Sequence, residues 1–227
     1  MSAKDKPYDC VHDGKRFFAQ KKYMDAIRVM ENCRNDSSVW EFLGLAYSEL
    51  FYIEDAKTYL KKAIMNDSEN TALANAYLNM VACNGKFKQA VEEFRSLLKA
   101  HPADRALRKA LARALVLNKE YDEAIHLYRI FVKEDPLDYE SRIQIGALTF
   151  AGNKSEEALA EFLAIIQSKP ARKWETEARL GIGQVFQSQG KYKEAYTEYE
   201  KVLQIDPQNK KAAGCLQQIT LDGNRFN

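Results

Sequence analysis

The chain has 227 residues, 46% of them hydrophobic and 29% charged, with 10 Gly, 5 Pro and a formal net charge of +2. That length holds one or two domains, and the apolar share with few turn-formers suits a helical core. The near-neutral balance supplies no global field to draw the chain onto nucleic acid or a lipid surface.

The first stretch, Met1 to Asp9, is polar and lacks the apolar centre of a signal peptide. Residues 1–6 are expected to be disordered. No apolar run approaches the ~20 residues needed to cross a bilayer. Direct membrane insertion is therefore not expected, and a peripheral attachment through a partner stays open. Cys10, Cys33, Cys83 and Cys215 are far apart, and none forms C-x-x-C. Without export signals they read as reduced thiols of a cytoplasmic protein.

From Ala26 onward a small residue recurs: Ala26, Ala56, Ala90, Ala124, Ala158 and Ala195, at intervals of 30, 34, 34, 34 and 37. Four residues after each stands a larger apolar side chain: Met30, Leu60, Phe94, Tyr128, Phe162 and Tyr199. An i, i+4 pair shares one helix face, so small and large residues alternate along a packing seam. Polar turns precede several of these helices, such as Asn84-Gly85-Lys86 and Gln189-Gly190-Lys191. Pro102, Pro136, Pro170 and Pro207 follow them, where proline ends one helix and suits the first turn of the next. In the preceding helix of each pair a close-contact glycine recurs as Gly14, Gly44, Gly146 and Gly183, with Leu78 and Ala112 in the third and fourth. The pattern predicts six antiparallel helix pairs at about 7–36, 37–70, 71–104, 105–138, 139–175 and 176–208. The short interval implies a clipped connection near Asn32 to Ser38, and the long one an insertion near Ala171 to Glu175. A last helix at about 209–221, apolar at Ala212, Leu216 and Ile219, is expected to cap the array, with residues 222–227 as a tail. No linker separates the pairs, so residues 7–221 read as one continuous solenoid.

Trp40-Glu41-Phe42-Leu43-Gly44-Leu45-Ala46-Tyr47, with Ala56 and Ala63 beyond it, spells W-x2-L-G-x2-Y and two spaced alanines. With the period of 34, residues 7–221 resemble the tetratricopeptide repeat (TPR) family. The motif is most specific in the second repeat. The tryptophan position holds Ala74, Arg108, Arg142 and Arg179 in repeats three to six and Cys10 in the first. The resemblance implies an all-α fold, a right-handed α-solenoid of antiparallel helix pairs. It also implies a concave groove lined by the first (A) helix of each repeat. Its ligand-facing positions map onto Asn75, Asn79 and Cys83 in repeat three, Lys109, Arg113 and Val116 in repeat four, and Glu140 and Ile143 in repeat five. Two amides beside two cations suit an extended acidic peptide, the amides meeting its backbone and the cations its carboxylates. The carboxylate clamp of chaperone-binding members matches in no register: starting at repeat three, its Lys, Asn, Asn, Lys and Arg positions hold Asn75, Asn79, Ala110, Glu140 and Gln144.

Nothing in the chain reads as catalytic or metal-binding. His12, His101 and His126 fall at unrelated repeat positions and form no ligand spacing. Glu92-Glu93 and Glu156-Glu157 sit early in helices, where carboxylates favour the dipole. Gly181-Ile182-Gly183 lies within a helix motif and lacks the rest of a phosphate loop. No enzyme, cofactor or metal is expected. Residues 86–119 hold nine Lys or Arg against three acids, and residues 120–163 hold ten acids against four bases. Such blocks steer a partner or a second copy. The expected function is a non-enzymatic protein–protein interaction scaffold that homo-oligomerises, as magnetosome-associated TPR proteins do. The alternative is a monomeric adaptor or a dedicated chaperone of the secretion type.

Overall fold

The computed structural model describes residues 9–66 and 70–223. The segment 1–6 expected to be disordered, and the tail beyond residue 223, lie outside the described residues. Among the described residues there is no strand. The chain divides between Glu120 and Tyr121 into two compact units.

The first unit holds α1 (Cys10–Ala19), α2 (Tyr23–Met30), α3 (Trp40–Glu49), α4 (Ile53–Asn66), α5 (Thr71–Val81), α6 (Phe87–Ala100) and α7 (Arg105–Leu117). Each helix packs on the next in sequence, and α3, α5 and α7 also touch in succession, so the A helices form one layer and the others a second. The second unit holds α8 (Tyr121–Glu134), α9 (Tyr139–Ala151), α10 (Ser155–Gln167), α11 (Arg172–Ser188), α12 (Tyr192–Ile205) and α13 (Lys210–Gly223). Its helices follow the same neighbour-on-neighbour order, and α9 touches α11. The fold is an all-α solenoid of antiparallel helix pairs.

Local chemistry sets where the helices begin and turn. Asp9, Asn70, Asp104 and Asp138 cap α1, α5, α7 and α9 by accepting from free backbone N–H groups of the first turn. The turn after each A helix passes through one residue of positive φ: Lys21, Phe51, Gly85, Lys119, Asn153 and Gly190. Glycine meets that demand at no steric cost; a bulky side chain does not.

The seam forms where an A-helix glycine lies beneath the large residue of the following helix. A Cβ on Gly44 would lie 2.8 Å from the Leu60 side chain, and one on Gly183 2.4 Å from the Tyr199 ring. Gly14 with Met30 and Gly146 with Phe162 repeat the arrangement. Ala26, Ala56, Ala90, Ala124, Ala158 and Ala195 are all fully buried. In the first unit one core cluster gathers Ile27, Met30, Val39, Leu43, Ala46 and Tyr59. In the second, Phe162, Ile182 and Val185 anchor one cluster, and Tyr199, Val202, Ala212 and Ile219 another beneath α13.

One expectation needs correction. Cys10 and Cys33 are not separate thiols: they form a disulfide, their Cα atoms 6.2 Å apart. The antiparallel turn from α1 to α2 carries Cys33 back beside the start of α1, a meeting that a spacing of 23 residues does not reveal. Cys83 and Cys215 stay free. The insertion expected near Ala171 to Glu175 is helical. It extends α11 to 17 residues, and its first turn sets Trp174 against Tyr139, ring centroids 6.2 Å apart.

Candidate functional site

In the first unit, α5 and α7 lie side by side as consecutive A helices. Asn75 and Asn79 stand one turn apart on α5, and Lys109 and Arg113 one turn apart on α7. The Arg113 guanidinium donates a hydrogen bond to Asn75 Oδ1 across the two helices. Asn79 and Arg113 are exposed, while Asn75 and Lys109 are half-buried. One bond to Asn75 holds the Arg113 fork in place and leaves most of its five N–H donors for a ligand. On α3, Glu41 accepts from Asn70 Nδ2 at 3.4 Å. Along this layer the polar groups thus change from a carboxylate on α3 to amides on α5 and cations on α7.

The other expected residues are placed differently. Val116 is half-buried near the end of α7. Cys83 lies beyond α5, in a short 3-10 turn over Cys83–Gly85. It lines a cleft of about 380 Å³ with Phe51, Tyr52 and Met80 at the turn end of the unit. Glu140 and Ile143 belong to the second unit. Glu140 is exposed in the first turn of α9, and Ile143 packs against the cluster around Phe162.

One cluster escaped the sequence reading. Tyr47 and Tyr59 both donate to Glu31 Oε1, each at 2.9 Å, with their rings stacked 5.8 Å apart. Burial first, and then the Glu31 hydrogen bond, push the Tyr59 phenol up to about 12 and raise Tyr47 as well. A related tie joins A helices to the helices that follow: Tyr77 to Glu93 at 2.7 Å, Arg142 to Glu161 at 3.0 Å and Arg179 to Glu198 at 2.8 Å. Each of these glutamates stands three residues after a seam alanine, a signal present in the sequence. The cluster on Glu31 had no such repeat to announce it.

Among the described residues no group of three or more His, Cys, Asp or Glu is placed to hold a metal ion. No helix among them is long and apolar enough to cross a membrane.

Models of the tetratricopeptide repeat match residues 37–70, 71–139, 110–173 and 176–209. No curated protein sequence matches the chain. Among solved structures, a tetratricopeptide repeat protein from Parabacteroides merdae superposes with a TM-score of 0.62 at 15% identity, covering 93% of this chain and 83% of that one. YrrB, described as a TPR protein with an unusual peptide-binding site, gives 0.57 at 20% identity, covering 84% and 96%. MamA of AMB-1 gives 0.56 at 17% identity, covering 74% and 98%. At these identities the likeness speaks for the fold. The repeat matches run over most of the chain and coincide with the observed helix pairs and their glycine–large-residue seam: the chain belongs to the tetratricopeptide repeat family.

Proposed function

We propose that the protein is a non-enzymatic interaction scaffold whose A-helix layer in the first unit binds an extended acidic segment of a partner protein. The observation that carries this reading is the Asn75–Arg113 hydrogen bond between α5 and α7, with Asn79 and Lys109 one turn away on the same two helices. It preorganises an amide and a guanidinium that otherwise lose side-chain freedom on binding. Peptide binding is the general use of this family, and the YrrB description names a peptide-binding site in that protein. Glu140 and Ile143 belong to the second unit, and the reading does not rest on them.

The test is titration of an acidic peptide against the chain and its Lys109→Glu/Arg113→Glu variant. The variant is expected to lose at least tenfold in affinity with helicity unchanged. Equal affinity for both would remove the groove from the reading.

Self-association is the second part of the proposal. It rests on the charge blocks, nine bases in residues 86–119 and ten acids in residues 120–163, and follows the scaffold type of magnetosome-associated members. A monomeric adaptor or dedicated chaperone is the alternative. A cytoplasmic location belongs to the same proposal, with one condition. The Cys10–Cys33 bond persists in an oxidising compartment, so a cytoplasmic chain carries that pair as thiols.

A further inference from the structure

The A helices α3, α5 and α7 of the first unit repeat the same two positions. Glu41, Asn75 and Lys109 follow one another at intervals of 34 residues, and so do Leu45, Asn79 and Arg113. Within each helix the two positions stand one turn apart on one face. Because α3 touches α5 and α5 touches α7, the two rows run across three neighbouring helices. Glu41, Leu45 and Asn75 are half-buried, while Asn79 and Arg113 are exposed.

Each end of this layer carries a charge that has only a neutral partner. Arg113 donates to the Asn75 amide oxygen, and Glu41 accepts from the Asn70 amide at 3.4 Å. Among the described residues neither Glu41 nor Arg113 makes an ion pair. Lys15 on α1 does not supply one, its ammonium standing over the Phe42 ring, 5.0 Å from the centroid. Glu93, Glu161, Glu175 and Glu198, also half-buried, each have a cation within 3.7 Å. Nor do Glu41 and Arg113 neutralise each other. Two helix-to-helix steps of roughly 8–10 Å lie between α3 and α7, more than a Debye length of about 8–10 Å at moderate salt. Glu41 has thus given up part of its water for one long hydrogen bond, and a cation on a ligand would complete it.

We propose that the groove takes a bipolar segment: an extended stretch of a partner protein with a basic residue on Glu41 and an acidic residue on Arg113. The proposal rests on the groove reading above and adds what stands at the α3 end. An extended chain advances about 3.3 Å per residue, so the base and the acid are about five or six residues apart. Asn75 and Asn79 meet the backbone between them, and Leu45 favours an apolar residue next to the base. Having a charge of each sign fixes which way the segment lies, since turning it round would set like charges against each other at both ends. The inference uses Arg113 and Glu41 and does not need Lys109.

The test titrates end-capped peptides of Ala, Ser and Leu against the intact chain. Each peptide carries one Lys and one Asp, in either order, at a separation varied from peptide to peptide. Affinity is expected to peak at a separation of about five or six residues and to fall about fivefold when the Lys becomes Ala. Glu41→Lys should weaken the best peptide about tenfold and restore affinity for the same peptide with Glu in place of Lys. Glu41→Gln, which keeps the shape of the side chain, should weaken the first peptide without gaining the second. Circular dichroism checks that each variant keeps its helicity. The proposal is overturned if purely acidic peptides bind as well as bipolar ones, if affinity does not depend on the separation, or if Glu41→Lys leaves it unchanged. Peptide affinity that falls as the chain is concentrated would give Glu41 to a second copy, and also overturns it. The Lys109→Glu/Arg113→Glu variant reads the groove by itself. Loss of binding there with no response at Glu41 keeps the groove and removes this inference, whereas no response at either place removes both.

Discussion

Gly183 shows how much of this fold rests on single hydrogen atoms. Alanine is the better helix former by about 1 kcal/mol, yet a Cβ here would sit 2.4 Å from a ring carbon of Tyr199, which is itself fully buried. The ring has no free space to move into, so the steric term wins. Gly183→Ala is expected to cost about 1–3 kcal/mol. For a chain of this size that lowers Tm by roughly 2–4 °C for each kcal/mol. Gly214 is the control: it is exposed in α13 with nothing within 4 Å of an added Cβ. There the same substitution should raise Tm slightly. Paired melting curves check both, and a neutral Gly183→Ala would mean that the seam tolerates a methyl group. Phe51 shows the opposite economy. It holds the left-handed turn backbone that Gly85 and Gly190 hold elsewhere, and leaves 76% of its surface exposed.

Between elements, the first two repeats are joined through Glu31. It follows α2 directly and accepts from Tyr47 on α3 and Tyr59 on α4. Both phenols are raised above their ordinary value of 10.0, by burial first and by Glu31 second. A raised folded value means that the neutral phenols contribute in full below the unfolded value near pH 10. That contribution drains away as pH climbs towards 12. Buried Tyr77 and Tyr199 are raised as well and add to the same window. Thermal stability is therefore expected to hold at mildly alkaline pH and to fall between about pH 10 and 12. Glu31→Gln removes the negative charge beside two of these four phenols. Tyrosinate absorbance should then appear at lower pH than in the parent chain, and superimposable titrations would show that Glu31 does not hold them.

At the scale of the whole molecule the question is whether one copy meets another. Charge blocks of opposite sign attract over about a Debye length, roughly 8–10 Å at moderate salt. Light-scattering mass is expected to rise above one chain with concentration and to fall back as salt is added. A mass that stays at one chain at every concentration would turn the reading to a monomeric adaptor or chaperone.

The repeat architecture was legible in the sequence because it is written in local periodicity. Seam alanines 34 residues apart, the large residue four places on, and glycine in the preceding helix all report which face of a helix is buried. The structure buries those faces, Ala26 through Ala195. Polar turns and helix-ending prolines are equally local. The candidate site was legible only as a set of A-helix positions. That Arg113 reaches Asn75 across 38 residues, that Cys83 falls past the end of α5, and that Ile143 packs into a core were not. Nor were the Cys10–Cys33 bond and the gathering of Tyr47 and Tyr59 on Glu31. Periodicity tells which way a side chain faces from its own helix. Which exposed or half-buried groups then meet depends on how closely neighbouring helices approach and where each one stops, and only the tertiary structure decided that.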